Sequence, residues 1–64
     1  MKKLEKVEID GKENIEIGFM KIRINEAVEE YNNLPKVTQE RFNYYQGYIH
    51  GLKTGIRIIE NSNK

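Results

Sequence analysis

The feature that most constrains this chain is the stretch Thr38–Asn61, in which Phe42, Tyr45, Ile49, Leu52, Ile56 and Ile59 recur at alternating steps of three and four. That spacing lays six large apolar side chains along one seam of an α-helix, and 24 residues at ~1.5 Å each make a rod of about 36 Å. Advancing ~100° per residue carries Asn43, Gln46, His50, Lys53 and Arg57 to the opposite, solvated side. The start signals agree with a helix over 38–61. Thr38 is a good N-cap, Glu40 in the first turn complements the positive helix end, and Val37 and Phe42 occupy the positions of a hydrophobic staple. Asn61 supplies a stop, with fraying expected over residues 62–64.

A second stripe runs beside the seam. Gly47, Gly51 and Gly55 lie four residues apart, flanked by Tyr44, Tyr48 and Ile58. Three glycines inside a helix cost roughly 3 kcal/mol against alanine, a large sum for a small domain. Spacing of this kind lets another backbone approach closely. With both stripes covered, the apolar arc exceeds half the circumference, more than the ~100° an ordinary surface helix needs. One short chain offers a single partner for such a helix, so the second partner is expected to be another copy, in a homodimer about a two-fold axis. The expected interface is Tyr44, Gly47, Tyr48, Gly51, Gly55 and Ile58.

Length supports the same expectation. A chain of 64 residues is one domain and buries only about 60 per cent of its unfolded surface, so it needs a staple or an oligomer. Without cysteine there is no disulfide and no thiolate metal site, and a single histidine makes a zinc site a poor reading. The net charge of +1 argues against a strong nucleic-acid binder. Residues 25–34 carry −3 and residues 35–64 carry +3, which suits antiparallel packing of the two segments. No run of 18 apolar residues and no signal-peptide core is present, so a cytoplasmic chain with no membrane partner is expected.

The first half alternates polar and apolar residues. Lys6-Val7-Glu8-Ile9 and Ile15-Glu16-Ile17 flank Asp10-Gly11, a turn signal, so the spacing predicts a β-hairpin over residues 5–24. The alternation slips between Phe19 and Met20, where a bulge at Gly18 would restore it. Asn25 then reads as the N-cap of a short helix over 25–33, with Glu26, Glu29 and Glu30 in its early turns and Pro35 closing it. The expected architecture is α+β in the order ββαα: hairpin, short helix, connection, long helix.

No catalytic constellation stands out, so no enzyme and no cofactor is expected. His50 falls on the polar face without an orienting partner. Glu8, Asp10, Glu13 and Glu16 read as the charged edge of a two-stranded ribbon. The glycines lack the strand, turn and lysine of a phosphate loop. The leading expectation is a protein-binding module, an adaptor or inhibitor of another protein, that self-associates through the long helix. Two alternatives involve nucleic acid. Tyr44, Tyr45 and Tyr48, with Arg41, His50, Lys53 and Arg57 nearby, could stack on single-stranded bases or a nucleotide. The order strand, helix, helix over residues 20–60 also loosely resembles ribbon–helix–helix repressors, which implies a dimer whose paired strands enter the major groove with Lys21 and Arg23 facing the bases.

Overall fold

The computed structural model describes residues 3–62, and within them the chain is helical rather than α+β. Two antiparallel helices, α1 (Ile15–Asn32) and α2 (Gln39–Ser62), form a helical hairpin, and an extended strap of residues 3–9 runs back along one flank. No strand occurs among the described residues, so the expected hairpin over 5–24 and the expected helix over 25–33 are both corrected. The first and last two residues, including most of the expected frayed end, lie outside the described part.

Helix α1 begins ten residues before the expected start because the cap is Asn14, not Asn25. The Asn14 carboxamide oxygen accepts from the Glu16 backbone N–H at 2.7 Å, and Gly18 N–H closes the first turn on the Asn14 carbonyl at 2.9 Å. The buried residues of α1 then keep helical steps throughout. Ile17, Ile24, Ala27, Val28 and Tyr31 are buried, with Met20 half-buried among them. Their stripe passes straight through the Phe19–Met20 slip, and Gly18 is an ordinary helical residue rather than a bulge. Isoleucines at 15, 17, 22 and 24 favour strands locally. Here that preference loses to a core that only the 3.6-residue period can assemble.

The turn at Asp10-Gly11 exists but joins the strap to α1. Gly11 has φ +77°, a conformation that disfavours any residue with a Cβ. The Asp10 carboxylate accepts from Lys12 N–H at 2.8 Å, and Glu13 Oε1 accepts both Asp10 N–H at 3.2 Å and the Lys21 ammonium at 2.7 Å. At its other end α1 stops at Asn33, whose N–H reaches the carbonyls of Glu29 and Glu30, and Pro35 follows.

Helix α2 matches its expectation closely. Thr38 Oγ accepts from Arg41 N–H at 3.1 Å as an N-cap, and the helix is continuous through Gly47, Gly51 and Gly55 to Ser62, one residue past the expected stop. Its seam faces α1: Ile49 and Ile56 are buried, while Tyr45, Leu52 and Ile59 pack partly buried on the core. Near the connection Tyr31 meets Phe42 and Tyr45 with ring centroids 6.0 and 5.7 Å apart.

The strap completes the core. Leu4 and Val7 pack against the buried cluster. Asn25, the residue expected to begin a helix, instead reaches sideways from the middle of α1 to the strap. Its oxygen accepts Val7 N–H at 2.8 Å and its amide donates to the Val7 carbonyl at 3.0 Å. Asn32 brackets Leu4 in the same way at 3.2 and 3.1 Å. Two helices and a strap make a thin plate, 41 × 19 × 14 Å, with a radius of gyration of 12.8 Å where a compact chain of this length has roughly 11 Å. A plate this thin exposes much of both helices.

Candidate functional site

The six residues expected at an interface form one stripe on α2, bordering the side of the plate away from the strap. Tyr44 is 68 per cent exposed, Tyr48 43 per cent and Ile58 60 per cent. Gly47 and Gly51 are exposed too, and a Cβ built on either meets nothing within 4 Å. Only Gly55 serves packing within the chain, because a Cβ there would come 3.3 Å from Met20 Cε. From Tyr44 to Ile58 the stripe carries no charge. Lys53 and Arg57 project from the far side of the helix.

Beside the stripe, a groove of about 250 Å³ separates the helices, lined by Arg23, Glu26 and Glu30 of α1 and by the three tyrosines. Tyr45 donates its hydroxyl to Glu30 Oε1 at 3.0 Å, a bond that holds the phenol pKa above its ordinary value. Tyr44 and Tyr45 meet edge to face at 5.2 Å. Tyr45 is therefore committed to the hairpin, while Tyr44 and Tyr48 offer free ring surface.

This placement bears on the nucleic-acid readings. Of the basic residues expected around the tyrosines, His50, Lys53 and Arg57 point the other way, while Arg41 stays near enough to Tyr45 to act on its hydroxyl; the groove itself sets Glu26 and Glu30 against one Arg23, a net negative lining that disfavours phosphate. Residues 20–24 are helical, so the strand needed for a ribbon-like reader is absent. On a helix Lys21 and Arg23 stand about 160° apart and cannot face one surface. Lys21 is moreover bound to Glu13 on the strap side, and Arg23 lines the groove.

Elsewhere the structure adds little chemistry. His50 is exposed, and Thr54 donates its hydroxyl to the His50 backbone carbonyl at 2.9 Å, an intrahelical contact only. Among the described residues no group of three or more histidine or acidic side chains could hold a metal ion, and no helix is long and apolar enough to cross a membrane. Of the four carboxylates on the expected ribbon, Asp10 closes the turn on Lys12 N–H and Glu13 ties that turn to α1. The Lys21 ammonium, with Asp10 N–H, holds the Glu13 carboxyl below the usual range, and the pair raises Lys21 in turn.

Two features escaped the sequence reading. Ile15, Phe19 and Ile22 form an exposed apolar row on the outer face of α1, with Ile15 at 76 per cent and Phe19 at 63 per cent. The asparagine brackets at 25 and 32 are the other. Their signal was a pair of asparagines seven apart, two helical turns, on a segment that otherwise has core periodicity. No protein-family model, curated protein or solved structure matches this chain.

Proposed function

We propose that the chain is a non-enzymatic protein-binding module that first pairs with a second copy of itself through the α2 stripe. The observation that carries the reading is the open, uncharged surface over Gly47 and Gly51, walled by exposed Tyr44, Tyr48 and Ile58. Three glycines are costly in a lone helix. Close approach of a second backbone gives two of them a use that contacts within the chain do not.

The stripe is also self-complementary. Tyr44 and Ile58 each lie seven residues from Gly51, and Gly47 and Gly55 each lie four. An antiparallel pair of α2 helices with its two-fold axis at Gly51 sets Gly51 on its own counterpart, Gly47 against Gly55 and Tyr44 against Ile58, with Tyr48 at the edge of the contact facing Thr54. The affinity should be modest. At about 200 Å² per large side chain, the exposed parts of Tyr44, Tyr48 and Ile58 amount to roughly 300 Å² per chain, short of the ~800 Å² per partner of a stable interface. Such a pair exchanges readily, as suits an adaptor or inhibitor whose stripe is later taken by another protein's helix.

Sedimentation equilibrium from roughly 10 µM to 1 mM tests this. The wild type should shift toward dimer mass across that range. Gly51→Leu should stay monomeric while gaining helicity. Equal masses for the two at every concentration would refute the reading.

A further inference from the structure

We propose that the flank of α1 carrying Asn25 and Asn32 is a receptor for an extended peptide, and that residues 4–7 are its built-in occupant. The class of ligand is a main chain in extended form, with apolar side chains three residues apart and a lysine just before the second, as in Leu4-Glu5-Lys6-Val7. This surface is distinct from the α2 stripe. On the α1 wheel, Asn25 and Asn32 lie across from Arg23, Glu26 and Glu30, which line the groove beside that stripe.

The geometry reads backbone before side chain. Each carboxamide offers one acceptor and one donor, and each closes a two-bond ring on the N–H and C=O of a single residue. Any residue except proline can supply those two groups. The spacing matches as well. Seven residues of helix rise ~10.5 Å, and three residues of extended chain cover ~9–10 Å, so two brackets fit one strap without distortion. Leu4 and Val7 both pack against the core, and both present their backbone N–H and C=O to α1. Glu29 lies between the asparagines and takes the Lys6 ammonium at 2.8 Å. Main-chain bonds that hold the peptide, with side-chain sites that choose it, constitute the logic of strand-addition recognition. Here a helix supplies the bonds.

The strap is also built to leave. Its Lys6–Glu29 ion pair is exposed on both sides, with 53 and 62 per cent of the two side chains accessible. Beyond it, Glu13 anchors the turn to Lys21 independently of the brackets. Residues 3–9 can therefore lift away while 10–14 stay docked.

The test uses the full chain and a fluorescein-labelled peptide of residues 3–10. A Leu4→Asp/Val7→Asp chain, its own strap weakened, should bind the peptide at least roughly tenfold tighter than wild type. Adding Asn25→Ala and Asn32→Ala to that chain should abolish the gain. A peptide N-methylated at the positions of Leu4 and Val7 should also fail, which a merely greasy contact would not require. Equal binding by the methylated peptide, or no binding to a strap-weakened chain that keeps its helical circular dichroism, overturns the proposal. If that chain unfolds, wild type decides the matter. Excess unlabelled peptide should speed amide exchange at Leu4 and Val7, and unchanged exchange there refutes the receptor.

Discussion

Replacing Asn25 with alanine separates two opposing effects in one substitution. Alanine removes both bracket bonds to Val7, each contributing about 0.5–1.5 kcal/mol, so the loss is about 2 kcal/mol. In the middle of α1, alanine also gains about 0.6 kcal/mol of helix propensity over asparagine. The balance is a net destabilisation of about 1.4 kcal/mol, which lowers Tm by about 6–11 °C in a domain of this size. Release of the strap limits the loss, because freed residues recover chain entropy and their polar groups find water. Asn43, exposed on α2 with its side-chain oxygen accepting from Gln39 one turn earlier, is the control, since alanine there leaves mainly the propensity gain. Thermal melts followed by circular dichroism should show Asn25→Ala falling and Asn43→Ala holding or rising. If both rise together, the bracket contributes nothing and the strap is held by its apolar residues alone.

Three further outcomes follow from the same structure. Ile24 is fully buried, so Ile24→Ala should cost about 2–5 kcal/mol, enough to leave most of the chain unfolded at 25 °C; a cooperative melt near that of wild type would contradict the core assignment. The carboxyls of Glu13 and Glu29 are held below 4.5 mainly by hydrogen bonds from Lys21 and Lys6, so the stability they add is present above that value and lost as pH falls through their lower folded values; Tm should be level down to about pH 5 and drop toward pH 3, and a level Tm throughout would count against both pairs. Gly47→Ala meets open space and should raise the Tm of the dilute monomer by up to about 8 °C, whereas Gly55→Ala presses on Met20 and should gain less; equal gains would mean that Met20 does not lie over Gly55.

The two halves of the chain differed in how plainly they declared themselves. In α2 the apolar residues that face α1 form one seam, Lys53 and Arg57 lie off it on a solvated flank, and a threonine cap marks the start, so periodicity, capping and burial all point one way. In α1 the signal is blurred from both sides. Ile17, Met20 and Ile24 build the core stripe, but Ile15, Phe19 and Ile22 put a second apolar row on the outer face, and together they imitate alternation. The slip at Phe19–Met20 was the mark of a period other than two. Asn25 misled for a related reason. An asparagine before a run of glutamates has the chemistry of a helix cap, and only the strap, 18 residues earlier, shows that its amide is spent on Val7. The stripe on α2 was legible as a set of residues, while its openness over Gly47 and Gly51 needed the packed hairpin to be seen.

The proposed pairing brings two α2 helices together at Gly51, and the absence of native cysteine makes a direct measurement simple. A Gly51→Cys chain, oxidised mildly at high concentration, should form a disulfide-linked dimer in good yield. Across an antiparallel two-fold axis that position meets its own counterpart, within the ~3.5–4.5 Å between Cβ atoms that a disulfide needs. An Arg57→Cys chain, with its thiol about 120° around the helix from Gly51, should stay largely monomeric under the same conditions. Gly51→Cys cross-linking no faster than Arg57→Cys would contradict the pairing and remove the main support for a self-associating module.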